Sequence, residues 1–346
     1  MECVMTKLKQ IVFTKPYQAE YLTVGEKDLS ALAPGTVAVK TMVSTVSAGT
    51  ERANYIGDKN VSLDKNAENP FPRTVGYSSA GEVVAVGADV TGVKVGDRVA
   101  VYWGKHINYN IVSEDNVVKI ESENVSYEEA AVALISTFPL AAIRKVNLEI
   151  GESLMVMGLG ILGQVAVMLA RAAGAFPIVA CDPVAERREE ALKNGADFAF
   201  DPFDTDFAKK VIQATGGGVK TAIEVTGLGA GLDETLDCMQ RMGRVALLGC
   251  TRNSDFSIDY YRKVHGPGIT LVGAHTLARP TKESYPSHFT HADDIKTVLN
   301  LCGAGRLPIK NLIKETANPK DCQAVFTRLA TDKNFPIGVQ FDWRKE

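Results

Sequence analysis

No two cysteines of this chain stand at C-x-x-C spacing. Cys3, Cys181, Cys238, Cys250, Cys302 and Cys322 are scattered over 346 residues. Neither a zinc knuckle nor a redox dithiol is therefore expected. Most of them sit inside apolar patterns, which fits reduced, buried or half-buried thiols in a cytoplasmic protein. A dominant charge is missing too: the net charge is −3, with no polybasic run. Nucleic acid and anionic membrane surfaces are not expected partners. Apolar runs are interrupted by Gly and Arg well before the length of a membrane span. The first residues, MECVMTKLKQIVFTK, lack the apolar core of a signal peptide. There is no internal repeat and no low-complexity segment. What remains is a globular composition, 45% hydrophobic and 23% charged, at a length that suggests two domains.

The strongest positive feature is Leu154–Ala175, LMVMGLGILGQVAVMLARAAGA, with Cys181-Asp182 six residues further on. It reads as strand, glycine turn, helix, strand and acid. Gly158, Gly160 and Gly163 form G-x-G-x-x-G. The first permits a sharp turn, the second a close approach to a pyrophosphate, and the third tight helix–sheet packing. The helix N-terminus, with Ile161 and Leu162 in its first turn, offers amide N–H groups to phosphates. Strand before, helix after and an acid about 20 residues on make the full dinucleotide fingerprint.

The rest of the chain divides around this motif. Residues 1–139 are β-rich, with strands over 37–43, 81–87 and 95–102 closed by glycines. Such punctuation suggests a partly open barrel. Residues 140–275 alternate strands and helices: strands at 154–158, 178–182, 221–225, 245–249 and 269–273, helices to 173, over 185–194 and near 232–242. That pattern is a doubly wound parallel sheet. Residues 276–346 hold a helix over 292–302 and extended segments such as 337–341, expected to return to the first domain. Ligands are expected at the carboxyl ends of the parallel strands, facing the interdomain cleft.

Asp182 ends the second strand of the fingerprint. Its carboxylate can accept both ribose hydroxyls and repels a 2′-phosphate, so NAD is expected over NADP. Arg187 and Arg188 are the counter-argument, because an arginine here can hold that phosphate. Their positions inside a helical pattern read as a solvated face. Thr226-Gly227 and Gly249, at later strand ends, are placed to bring backbone near the cofactor or to form ordinary turns.

With these parts in order, GYSSAGEVVAVGADVTGVKVGDRVAV at 76–101 and EEAAVALISTFPLAAIRKVNLEIGESLMVMGLGILGQ at 128–164 resemble the medium-chain dehydrogenase/reductase superfamily. The resemblance covers essentially the whole chain. It implies a GroES-like barrel followed by a Rossmann domain. It also implies homodimers or homotetramers paired through the Rossmann sheet, with 269–273 as the edge strand. Zinc members carry Cys-Gly-(Thr/Ser)-Asp, Gly-His-Glu and a third ligand before the interdomain helix. This chain has Ala48-Gly49-Thr50-Glu51, Gly76-Tyr77-Ser78 and Phe138 at those places, and the four-cysteine lobe is missing. Alanine, phenylalanine and a neutral tyrosine are poor zinc ligands, so no zinc is expected.

Without a Lewis acid, some side chain must manage the proton of the reacting oxygen. Glu51, Tyr77, His106 and Thr50 are the candidates. Glu51 follows the turn that in relatives faces the nicotinamide. Tyr77 projects from a former ligand position. His106 brings an imidazole, a side-chain type suited to proton exchange, and Thr50 aligns with the relay hydroxyl of zinc members. A plain structural reading stands beside each of the first three. Glu51 can serve as a helix-start carboxylate, Tyr77 can fill vacated space, and His106 can be a surface or hydrogen-bonded structural residue. His265 and His275 flank the strand at 269–273 and suit a substrate, cofactor or subunit contact. The reading is an NAD-dependent oxidoreductase acting on a polar small-molecule alcohol such as a polyol, sugar or glycoside. The alternatives are a zinc-free quinone or enoyl reductase and a dinucleotide-binding protein without catalysis.

Overall fold

The computed structural model describes residues 5–62, 64 and 66–346. Cys3 lies outside them. The chain forms two compact units: Met1–Ile135 with Ile295–Glu346, and Ser136–Asp294. The segment 276–294, read from the sequence as part of the tail, groups with the second unit.

The first unit is built on a seven-stranded sheet and a three-stranded one. Strand Thr36–Thr45 is the hub. It pairs antiparallel with Ser78–Val86, Tyr109–Ser113 and Gly338–Asp342. Its valines Val37 and Val39 meet Val83, Val99, Val101 and Val117 in one apolar core. β-branched residues suit a strand packed on both faces. The tail does return to this unit, because Gln340 pairs with Thr45. A second core is aromatic: Phe13 meets Phe326 edge-on at 4.7 Å and Tyr55 at 5.3 Å. Helix Ala48–Ile56 buries Glu51, Ala53 and Tyr55, and Tyr55 joins this core. It ends at Gly57, whose φ of 76° places it in the left-handed region that glycine tolerates.

The second unit holds a six-stranded parallel sheet. The order is Phe198–Phe200, Ile178–Cys181, Leu154–Met157, Val219–Glu224, Met239–Leu247, Thr270–Gly273. Strands Leu154–Met157 and Ile178–Cys181 are buried at every residue, as expected for a parallel sheet covered on both faces. The strand order reverses between Leu154–Met157 and Val219–Glu224, the place where doubly wound sheets hold their ligands.

Several expectations are corrected. The helix placed near 232–242 runs Gly229–Asp237, and the next strand already starts at Met239. Parallel pairing of that strand with Val219–Glu224 outweighs the local helical period. Helices Phe207–Thr215 and Cys322–Thr331 had not been assigned. Cys250 is exposed, whereas Cys181, Cys238, Cys302 and Cys322 are buried free thiols. Burial pushes the Cys238 thiol up to about 12. Among the described residues no helix is long and apolar enough to cross a membrane.

Candidate active site

The glycine turn of the second unit is made by local chemistry. The buried strand Leu154–Met157 runs into Gly158, whose φ is 97°. A side chain is strained in that conformation. Helix Ile161–Ala173 starts immediately after, with Gly160 as its N-cap and no side chain capping it. A Cβ on Gly163 would collide with the Gly158 carbonyl oxygen, so only glycine lets this helix approach the turn so closely. Space beside Gly160 is open. Uncapped amides of Ile161 and Leu162 at a helix start, with no side chain in the way, fit an anionic dinucleotide phosphate.

Asp182 sits beside this turn and holds it. Its Oδ2 accepts from the Leu159 amide at 2.8 Å and its Oδ1 from the Val184 amide at 2.9 Å. Arg187 and Arg188 do not form the solvated face expected from the sequence. Arg187 brings Nη1 to 3.6 Å from Asp182 Oδ2. Arg188 donates to the Asp182 carbonyl at 2.7 Å and to Asp201 at 3.2 Å. Both are half-buried, and Gln164, fully buried in the glycine-turn helix, donates to the Arg187 carbonyl at 2.8 Å.

Glu224 was missed by the sequence reading. It ends strand Val219–Glu224, and its carboxylate accepts from the Thr226 amide at 2.7 Å, from the Gly227 amide and from the Thr226 hydroxyl. Burial raises its pKa against those hydrogen bonds. The Glu224 carbonyl takes the Gly249 amide at 2.9 Å. Thr226 and Gly249 therefore belong to abutting turns, and a Cβ on Gly249 would strike Gly227. Of the flanking histidines, His265 is exposed and stacks on Tyr260. The His275 imidazole accepts from the Leu277 amide, and burial lowers its pKa. His291, unremarked in the sequence, meets Thr137 Oγ1 at 3.1 Å. Burial, then the Arg279 charge, pull its pKa down to about 3.

In the first unit the polar candidates come together. Glu51 lies in the first turn of helix Ala48–Ile56, and its Oε1 accepts from the Ser47 amide at 3.2 Å. Its Oε2 meets His106 Nε2 at 3.1 Å. His106 Nδ1 meets Ser44 Oγ at 2.7 Å, and Trp343 Nε1 donates to the same oxygen at 2.8 Å. The histidine is fixed by its main chain as well: its amide donates to Val75 and its carbonyl accepts from Ile11. Gly76 leaves room for the ring, since a Cβ there would overlap it. Glu51 is 1% exposed and His106 0%. Neither is the surface group that a loop histidine and a helix-start carboxylate suggest.

Tyr77 is the outer member of the cluster. It is half-buried, its phenol shares a hydrogen bond with Ser47 Oγ, and its ring tilts against Trp103 at 5.5 Å. Trp103 is exposed and holds a φ of 59°, unusual for a bulky residue. Thr50 is half-buried. Its carbonyl accepts from Asn54, and no hydrogen bond ties its side chain to Glu51, Tyr77 or His106. Ser44, Ser47, Trp103 and Trp343 were not singled out beforehand. Trp343 carries no local signal, because 299 residues separate it from Ser44.

The donor set does not suit zinc. Ala48 offers no thiolate and Tyr77 no imidazole. Ser78, at the adjacent position, spends its hydroxyl on the Ala131 carbonyl. Phe138, buried in helix Ala133–Lys145, is apolar. Among the described residues no three His, Cys, Asp or Glu side chains are grouped to hold a metal.

Residues 33–134 match the family model described as alcohol dehydrogenase GroES-like domain, and residues 162–290 the one described as zinc-binding dehydrogenase. The L-threonine 3-dehydrogenase of Pyrococcus abyssi is 30% identical over 296 residues, 77% of this chain and 82% of that protein. The D-guloside 3-dehydrogenase of Escherichia coli is 26% identical over 273 residues, 77% of each. The crystal structure of 2R,3R-butanediol dehydrogenase from Bacillus subtilis superposes with a TM-score of 0.79 at 24% identity, covering 97% of this chain and 99% of that one. The chain belongs to the medium-chain dehydrogenase/reductase superfamily, as an alcohol dehydrogenase-like oxidoreductase with a GroES-like domain and a Rossmann-type parallel sheet.

Proposed function

We propose that this enzyme is an NAD-dependent, zinc-independent oxidoreductase acting on a polar secondary alcohol of polyol, sugar or glycoside type. The observation that carries the reading is the Tyr77–Ser47 and Glu51–His106 cluster, in which Tyr77 stands at a position where the resemblance puts a metal ligand. When bound, the nicotinamide accepts or supplies the hydride. Tyr77 manages the oxygen. In the reductive direction its phenol gives a proton to the oxygen of the carbonyl as the hydride reaches carbon, and solvent reprotonates the phenolate. In the oxidative direction the same group takes the hydroxyl proton. This is general acid–base catalysis from a residue that reaches the surface. Glu51 and His106 are buried, so their part is positioning: Glu51 holds the Ser47 amide and His106 holds Glu51. Thr50 adds a second hydroxyl beside Glu51 in the sequence.

The choice of NAD rests on Asp182, whose carboxylate disfavours a 2′-phosphate. Arg187 stands close by but toward that carboxylate. Asp182→Ala is expected to weaken NADH binding more than NADPH binding in a fluorescence titration; equal loss for both would remove the argument for NAD. A small-molecule substrate, a cytoplasmic setting and a homodimer or homotetramer paired through strand Thr270–Gly273 belong to the same proposal. Likenesses to threonine, guloside and butanediol dehydrogenases support hydroxylated substrates. The deciding assay is oxidation of a panel of sugars, polyols and simple secondary alcohols with NAD and with NADP. NADH formation on a hydroxylated member supports the reading. Inert alcohols, with NADPH consumed by quinones or enones, would move the enzyme to the reductase class.

A further inference from the structure

We propose that Ser47 is a positioning residue for the proton step, its hydroxyl donating to the Tyr77 phenol oxygen while its amide holds Glu51. This rests on the assignment of Tyr77 as the proton-exchanging group. Ser47 lies at the junction between strand Thr36–Thr45 and helix Ala48–Ile56, and is nearly buried. One residue thus fixes two side chains. Its Oγ meets the phenol, and its N–H reaches Glu51 Oε1 at 3.2 Å. Between two neutral hydroxyls either oxygen can donate. Once Tyr77 has given up its proton, the phenolate can only accept, so Ser47 must be the donor. A hydrogen bond to an anion is roughly twice as strong as one between neutral groups. The pair is therefore stronger after proton transfer than before it, which is the condition for favouring the transfer itself.

Among the described residues, the adjoining segments bring these other groups. Helix Ala48–Ile56 contributes Glu51 and Arg52, and Arg52 is exposed and turned to the Ala330 carbonyl. The segment after Trp103 contributes Lys105, which is exposed, and His106, which is committed to Glu51 and Ser44. Trp343 Nε1, at the far end of this chain of bonds, is a donor only.

The test reads Tyr77 directly and needs no substrate. The chain has ten tyrosines, so the ultraviolet tyrosinate signal of Tyr77→Phe is subtracted from that of the parent protein across alkaline pH. The difference isolates Tyr77. Its midpoint is expected to rise by about one pH unit in the Ser47→Ala background and to stay near the parent value in Ser47→Thr, which keeps a hydroxyl. A midpoint that holds or falls in Ser47→Ala would overturn the proposal. On the alcohol that the panel identifies, Ser47→Ala is expected to lower kcat about tenfold with KM for NAD unchanged, and to have no further effect in Tyr77→Phe. Additive losses in that double variant would also overturn it. If Tyr77→Phe alone leaves turnover intact, the Tyr77 assignment fails, while the spectroscopic midpoint still reports on Ser47.

Discussion

The two units build their polar sites in opposite ways. The second makes its cradle from contiguous backbone: a strand, a glycine turn and a helix start within Leu154–Ala173. Side chains there serve the main chain. Asp182 ties down the Leu159 amide, and Glu224 does the same for Thr226 and Gly227. The first unit makes its cluster from side chains on four separate segments, around residues 44–51, 77, 106 and 343. A backbone site tolerates varied chemistry around it but no added bulk. A side-chain site is sensitive to the loss of any one partner.

The largest effect should follow from breaking the side-chain site at its centre. His106→Leu takes the imidazole from the buried Glu51 Oε2 and leaves the carboxylate only the Ser47 amide on Oε1, a loss of about 3–5 kcal/mol for a broken buried pair. Chemical denaturation is expected to show this loss, and the double variant Glu51→Gln with His106→Leu to recover much of it. A stable single variant would mean that the pair carries no such coupling.

Next comes the backbone site. Gly163→Ala forces a Cβ onto the Gly158 carbonyl, an overpacking of about 1–3 kcal/mol. Affinity for NADH and NADPH should fall together by at least tenfold, with the first unit's cluster untouched. Calorimetric titration checks this, and unchanged affinity would contradict the close-packed turn.

Asp182 sharpens the contrast, because it holds the turn and is proposed to meet the ribose as well. Asp182→Asn keeps one acceptor oxygen and loses the other. A few-fold loss for both cofactors is expected beneath the NADH-selective part, measured as two dissociation constants. Loss for NADH alone would deny the carboxylate its part in holding the turn.

The remaining effect is a pH dependence that arises in the second unit. His291 has its pKa lowered to about 3, first by burial and then by Arg279. Its unfolded-state value is about 6.5. Between these two values the unfolded chain binds the proton and the folded one does not. The contribution of His291 to stability is therefore fully present above about pH 6.5 and falls as pH drops toward 3, at up to about 1.4 kcal/mol per pH unit. His291→Gln should flatten the melting-temperature profile in that window, and an unaltered profile would assign the slope elsewhere.

The same contrast explains what was legible beforehand. The glycine turn and the parallel sheet could be read because their meaning lies in spacing along one stretch of chain, whereas the grip of Asp182 on the Leu159 amide could not. The strand at 239–247 was misread as partly helical, since its pairing with Val219–Glu224 is a tertiary matter. Glu51, Tyr77, His106 and Thr50 were named as residue types suited to proton chemistry. Their grouping was not visible, because it depends on Gly76 admitting the His106 ring and on Trp343 returning from the far end of the chain. Ser47 directly precedes the motif Ala48-Gly49-Thr50-Glu51, yet only the fold shows its hydroxyl against Tyr77.

The central claim is that side chains, not a metal, handle the oxygen in this enzyme. The most direct measurement is kcat for NAD-linked oxidation of its preferred alcohol, with parent protein and Tyr77→Phe each assayed after exhaustive chelation and again with added zinc. The account predicts that the chelated parent keeps its turnover, that zinc adds nothing, and that Tyr77→Phe loses about 100-fold or more, in the range of general acid–base catalysis. Turnover abolished by the chelator and restored by zinc, with Tyr77→Phe as active as the parent, would contradict it.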